Sequence, residues 1–165
     1  MVYDNILDAV GHTPLVRLNR VVEPGMARVL VKFEAVNVGG SIKTRTAARM
    51  IRSAEELGVL HEDSIIVEPT SGNQGIGLAL VAAVLGYRAR IIMPDSVSVE
   101  RRKLVTHYGA EVVLVHDAGD IGACVDECIQ MALRMARELG EGKTVVTICP
   151  DTGERYISTK LFCGE

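Results

Sequence analysis

The 165-residue sequence contains no tryptophan, and aromatic residues make up only 4% of it. Stacking platforms for single-stranded nucleic acid are built from aromatics, so that class of partner is poorly served. Excess positive charge is missing too. Eighteen Lys and Arg stand against 21 Asp and Glu, a formal net charge of −3, which leaves no electrostatic footprint for a phosphate backbone. There is no long apolar run: the richest stretch, "IGLALVAAVLG", is too short to cross a bilayer. The opening "MVYDNILDAVGHTPLV" lacks a basic segment followed by an apolar one, so no signal peptide is expected and a cytoplasmic location is. No CxxC occurs. Cys124 and Cys128 lie one helical turn apart on the face of Ile121, Ala132 and Met135, and with Cys149 and Cys163 they read as small buried hydrophobes, not zinc ligands. His12, His61, His107 and His116 are scattered, and no metal site is expected.

What is present is the composition of an ordinary globular domain, 48% hydrophobic and 24% charged. A chain of this length buries roughly two thirds of its unfolded surface in one core. Short β-branched runs fall at 28–33, 64–69, 89–94, 111–116 and 143–148. Segments with helical spacing fall between them, at 41–57, 73–86, 98–108 and 121–139. This alternation predicts an α/β fold with an open, mostly parallel sheet and helices on both faces, a three-layer αβα arrangement. Runs such as "SIIV" and "EVVLV" are apolar on successive residues, as strands covered on both sides are. Gly58, Gly86, Gly109 and Gly140 stand where the four helices should end. Residues 1–20 suggest a short helix and then "TPLVRL" as an edge strand, and 150–165 read as a polar arm.

Ligands of open α/β sheets bind beyond the carboxyl ends of the strands. The richest loop there is "EPTSGNQGIG" (68–77). Its small hydroxyls and glycines opening a helix suit an anion, although tight helix packing would use the same glycines. The spacing is neither G-x-G-x-x-G nor a P-loop. In "MPDSVSVERRK" the run Arg101 to Lys103 reads as a solvated helix face, and Asp120 as a helix cap.

The loop "NVGGSIKTR" (37–45) places Lys43 in the first turn of a helix, where the peptide dipoles disfavour a cation. On a helical wheel Lys43 begins an apolar stripe with Ala47, Met50, Ala54 and Leu57, while Arg45, Arg49 and Arg52 occupy the opposite side. Two readings stay open. A lysine can snorkel from a helix end, or an amine set against the dipole and out of water can serve as a Schiff-base nucleophile.

These residues resemble a family. "NVGGSIKTR", the stretch "EPTSGNQGIGLALVAAVLGYRARIIMPDSVSVERRKLVTHYGAEVVLV", the opening "ILDAVGHTPLVRLNRV" and the closing "TVVTICPDTGERYIST" look like the cysteine synthase (O-acetylserine sulfhydrylase) group of fold-type II pyridoxal-phosphate enzymes. The resemblance implies that Lys43 holds pyridoxal 5'-phosphate and returns as the base for the substrate α-proton. It implies that Asn73 binds the cofactor's 3′ oxygen. The loop of Thr70, Ser71, Gly72, Asn73 and Gln74 would grip the substrate α-carboxylate. The family reaction is β-replacement: acetate leaves O-acetylserine and sulfide adds, giving cysteine.

The sequence also departs from the family pattern. Members are about twice this length and carry a Gly/Thr-rich loop for the cofactor phosphate and a Ser or Thr facing the pyridine nitrogen, which are not found here. "MALRMARELGEGKTVV" reads as one helix leading straight into the last strand, as though an internal segment were removed. Gln74 stands for the usual Thr and Thr44 for the usual Asp. The expectation is one domain over 1–165, with 36–140 resembling the family's small domain and 1–35 and 141–165 the edges of its large one. Activity would be impaired; the alternative is an inactive shortened or engineered scaffold with weak or no cofactor binding. An uncovered apolar face predicts a homo-oligomer, a dimer in the simplest case.

Overall fold

The β-branched runs become strands and the segments between them become helices, in the expected order. The computed structural model describes residues 2–115, Leu133, Arg137, Gly140, Glu141 and 144–149. Its elements are β1 (Leu15–Arg17), β2 (Arg28–Phe33), α1 (Lys43–Glu56), β3 (Ile65–Pro69), α2 (Asn73–Leu85), β4 (Arg88–Pro94), α3 (Val99–His107), β5 (Glu111–Val115) and β6 (Thr144–Cys149). Of the helix expected over 121–139, only Leu133 and Arg137 are among the described residues, both helical. Cys124, Cys128, Cys163, His116, Asp120 and the arm at 150–165 lie outside them. The short opening helix is a 3-10 turn over Ile6–Ala9, capped by the Asn5 side chain.

Pairing is parallel except at the edge, where β1 runs antiparallel to β2. The strands divide between two three-stranded sheets, β1-β2-β6 and β3-β4-β5, where the periodicity suggested one. Local pattern marks a strand but not its neighbour, and β6 joins β2 across more than a hundred residues.

The main core forms around α2, whose residues from Gly75 to Ala82 are all buried. A helix apolar on every side must be enclosed. Here α1 packs on one flank, α3 on another, and β3 and β4 beneath. Ile91 and Met93 of β4 point into this core together with Ile76, Leu78 and Val81. The opposite face of the sheet, carrying Ile65, Val67, Arg88, Arg90 and Glu111, is exposed. Gly86 closes α2 in the left-handed conformation at φ 82°, a backbone that glycine adopts without Cβ strain. Gly58, Gly109 and Gly140 take the same sign of φ.

Candidate functional site

Lys43 is the first residue of α1, and the segment before it explains both glycines. Gly39 and Gly40 take φ of +75° and +68° to turn the chain into the helix. At Gly39 an added Cβ would lie 2.5 Å from Thr44 Oγ1, so both backbone and space demand glycine. Ser41 Oγ then accepts the Lys43 N–H at 3.2 Å, and the buried Asn37 side chain ties the turn down. Its Oδ1 accepts the Gly11 N–H at 2.9 Å and its Nδ2 donates to the Ser41 carbonyl at 2.9 Å.

The face of α1 differs from the helical-wheel expectation. The buried residues are Thr44, Ala47, Ala48 and Ile51. Lys43 is exposed, and on its side Met50 is 48% and Leu57 77% exposed. The buried stripe is therefore rotated by roughly a quarter turn from the one through Lys43. Small residues allow α1 to approach α2 closely, and that contact chose the face. The hydroxyl of Thr44 is enclosed there with no hydrogen-bond partner among the described residues.

Arg45 is a second correction. Expected in solvent, it reaches back to Glu34, whose side chain is 1% exposed. Nε donates to Oε2 at 2.9 Å and Nη2 to Oε1 at 2.7 Å. Nη2 also meets the Gly11 carbonyl at 2.8 Å, while the Thr13 hydroxyl donates to Glu34 Oε1 at 2.6 Å. The Arg45 guanidinium holds the Glu34 carboxyl below its usual pKa against the opposing effect of burial, and the carboxylate in turn raises that of Arg45. This network fastens the N-terminal segment to the turn carrying Lys43. The sequence offered no signal for it, because its members lie 11 to 34 residues apart.

The loop Thr70–Gln74 leads from β3 into α2. Thr70 N–H donates to the Ile92 carbonyl at 2.9 Å, and Gly72 N–H donates to Thr70 Oγ1 at 3.1 Å. Gly72 is the N-cap of α2, and as a glycine it brings no capping side chain to that end. Gln74 Nε2 approaches Met50 Sδ at 3.4 Å, linking the loop to α1.

The glycines here divide by role. At Gly72 an added Cβ would meet nothing within 4 Å. At Gly75 it would strike Ile91 Cγ2 at 2.7 Å and Thr70 Cγ2 at 2.8 Å, and at Gly77 the carbonyl carbon and oxygen of Lys43 at 3.0 Å. Gly75 and Gly77 thus serve packing. Gly77 sets the first turn of α1 against α2, one helical turn from Asn73, or roughly 6 Å along the axis. Lys43 and the Thr70–Gln74 loop therefore occupy one end of the α1–α2 pair.

The basic run on α3 is a third correction. Arg101 is 6% exposed and its Nη1 donates to the Ser71 carbonyl at 2.9 Å. Arg102 Nε donates to the Val97 carbonyl at 3.1 Å, leaving Lys103 as the exposed member. A cavity of about 650 Å³ lies elsewhere, against β1 and the 22–26 turn, and includes none of the expected site residues.

An exposed lysine amine opens α1 and a side-chain amide opens α2, on adjoining helices of an α/β core. The chain belongs to the family of pyridoxal-phosphate dependent enzymes, whose description matches residues 6–158. It is 46% identical over 132 residues to a cysteine synthase of Flavobacterium, covering 80% of this chain and 43% of that protein. Against a probable cysteine synthase of Bacillus subtilis it is 46% identical, covering 83% and 42%. Among solved structures it resembles O-ureido-L-serine synthase (44% identity, TM-score 0.67, 84% of this chain and 41% of that one). It also resembles a hydrogen sulfide-producing enzyme of Fusobacterium nucleatum (38%, TM-score 0.67, 88% and 45%). The chain spans less than half the length of these relatives.

The residues present fit one end of the family's cofactor. The Lys43 amine is exposed at the start of α1, Asn73 brings an amide to the start of the adjoining α2, and an added Cβ at Gly72 would meet nothing within 4 Å.

Proposed function

We propose that this chain carries the lysine-bearing part of a cysteine-synthase-type site that replaces the β-substituent of O-acetylserine, or a related activated serine, to give cysteine. The observation that supports the reading is the seating of the Lys43 backbone against Gly77, which packs the first turn of α1 on α2 four residues from Asn73. Pyridoxal 5'-phosphate, when bound, supplies the electron sink for loss of the α-proton and departure of the β-substituent. Lys43 offers the amine that the cofactor aldehyde needs, and its Nζ receives the α-proton. Asn73 holds the ring oxygen. The loop of Thr70, Ser71, Gly72, Asn73 and Gln74 holds the α-carboxylate. The similarity to O-ureido-L-serine synthase, named for an O-substituted serine as its product, supports an O-substituted serine as the ligand class.

The alternative reading is an inactive scaffold of that fold with weak or no cofactor binding. In either case residues 36–140 correspond to a small domain and 1–35 with 141–165 to the edges of a larger one. The separation of the β1-β2-β6 sheet from the β3-β4-β5 sheet supports that division. Pyridoxal phosphate added to the purified protein decides between enzyme and scaffold. A visible absorbance band that is missing in Lys43→Ala, and that changes on adding O-acetylserine, is the expected result. No band at saturating cofactor overturns the enzyme reading.

The protein is further proposed to be a cytoplasmic homo-oligomer, in the simplest case a dimer, that takes a small amino-acid substrate and neither nucleic acid nor membrane. Exposed apolar residues support the association: Ile65 and Val67 on the sheet, Met50, Leu57 and Val59 around the end of α1. Among the described residues no helix is long and apolar enough to cross a membrane. Sedimentation at micromolar concentration tests the association, and a monomer there removes it.

A further inference from the structure

The Ser71–Gly72 peptide group is fixed at both ends by side chains. Its carbonyl accepts from Arg101 Nη1 at 2.9 Å, and its N–H donates to Thr70 Oγ1 at 3.1 Å. A trans peptide is planar with C=O and N–H opposed, and among the described residues no peptide bond is cis, so Arg101 and Thr70 act on one rigid plate from opposite sides. Thr70 Oγ1, accepting from Gly72, keeps its own proton to donate outward. Arg101 is itself 6% exposed, a burial that ionised side chains rarely reach without a specific partner.

The plate is otherwise easy to turn over. Gly72 carries no Cβ, and one placed there would touch nothing within 4 Å. Turning the plate through about 180° moves φ of residue 72 from −129° into the left-handed range, which glycine enters freely and other residues enter at a cost. The turned plate would present the Ser71 carbonyl on the side of Thr70, consuming the hydroxyl proton and setting a partial negative charge where a carboxylate is to bind.

We infer that Arg101 is a positioning residue that locks the Ser71–Gly72 peptide with its carbonyl inward, and so keeps the Thr70–Gln74 loop selective for a carboxylate. This rests on the proposed role of that loop. Arg101 touches neither substrate nor cofactor in this account, and it acts through one backbone carbonyl.

The test uses the full chain, isotopically labelled, without cofactor. The Ser71 carbonyl and Gly72 amide resonances report the peptide, and titration with sodium propionate against propionamide reports carboxylate preference. In Arg101→Gln the Gly72 amide is expected to shift or split. Affinity for propionate should fall roughly tenfold, as loss of one charge-assisted contact implies, while propionamide is unaffected. Gly72→Ala added to Arg101→Gln is expected to recover propionate affinity, because alanine resists the turned form. A merely structural arginine would not be rescued in this way. Unchanged Gly72 resonances in Arg101→Gln, or no recovery in the double variant, overturns the inference. If Arg101→Gln does not fold, Arg101→Lys replaces it: a perturbed Gly72 amide supports the lock and an unchanged one overturns it. A missing cofactor band alongside these shifts faults the enzyme reading alone. Absence of propionate binding to the wild type faults the carboxylate role, and the Gly72 resonances still decide the lock.

Discussion

The start of α1 is held by polar side chains drawn from far along the chain, whereas the neighbouring Thr70–Gln74 loop is held by backbone contacts, close packing and one arginine. At Lys43 the fastening runs through Asn37, Glu34, Arg45 and Thr13 to the N-terminal segment. At the loop it runs through Gly75 pressed on Ile91 and through Arg101 on the Ser71 carbonyl. The first arrangement is strong and titratable. The second is stiff only while its packing stays intact. A site assembled from both can lose either half separately, and the difference is open to experiment.

The largest expected effect comes from breaking the charged half. Arg45→Ala leaves the Glu34 carboxylate buried without its cation, and removing one partner of a buried pair costs about 3 kcal/mol when the lost group is partly exposed. Arg45→Lys should recover little of it, since one ammonium cannot reproduce the two parallel contacts to Glu34 and the third to Gly11. Denaturant unfolding midpoints measure both. Equal stability of wild type and Arg45→Ala would mean that the network contributes nothing to holding the Lys43 turn.

Most of the framework was legible in the sequence because it is local. Strand runs, helix spacing and the helix-ending glycines each need only a few adjacent residues, and their boundaries agree with the structure to within two residues at the described elements. Lys43 at a helix start was also legible, from the glycines before it and the helical spacing after it. Its exposure was not. Apolar periodicity gave a stripe through Met50 and Leu57, but the close approach allowed by Gly77, Ala47 and Ala48 turned the helix onto its smaller residues. By sequence alone Arg45 and Arg101 both face solvent, because what removes a cation from water is a distant partner: Glu34 for one and the Ser71 carbonyl for the other. Local pattern does not show the division into two sheets for the same reason, as register between β2 and β6 is a long-range fact.

The joint between the two halves is Gly77, and Gly77→Ala should produce the next largest effect. The added Cβ would meet backbone atoms of Lys43 and Thr44 at 3.0–3.1 Å, and backbone cannot rotate aside as a side chain can. Overpacking of this kind costs about 1–3 kcal/mol. The expected readouts are a lower unfolding midpoint and a weaker cofactor band, because the Lys43 turn is displaced relative to Asn73. Gly75→Ala presses instead on side-chain methyls of Ile91 and Thr70, so its disturbance should be read at the loop. An unchanged band in Gly77→Ala would show that the spacing of the two helix starts is not critical.

The smallest expected effect separates the halves by pH. Glu34 is held below its ordinary pKa of 4.5, first by the hydrogen bond from Arg45. A carboxyl lowered in the folded state contributes stability that is fully present above its unfolded pKa and is lost as pH falls through the folded value. Wild type should therefore exceed Glu34→Gln in stability at neutral pH. That gap should narrow below about pH 4.5 and close once Glu34 is protonated in the native state, where the side chain resembles the glutamine that replaces it. The deficit of Gly77→Ala arises from packing and should stay constant across the same range. Unfolding midpoints of the three proteins between neutral and acid pH read both differences at once. A gap for Glu34→Gln that does not narrow in acid would show that the charge on Glu34 is not what fastens the Lys43 turn.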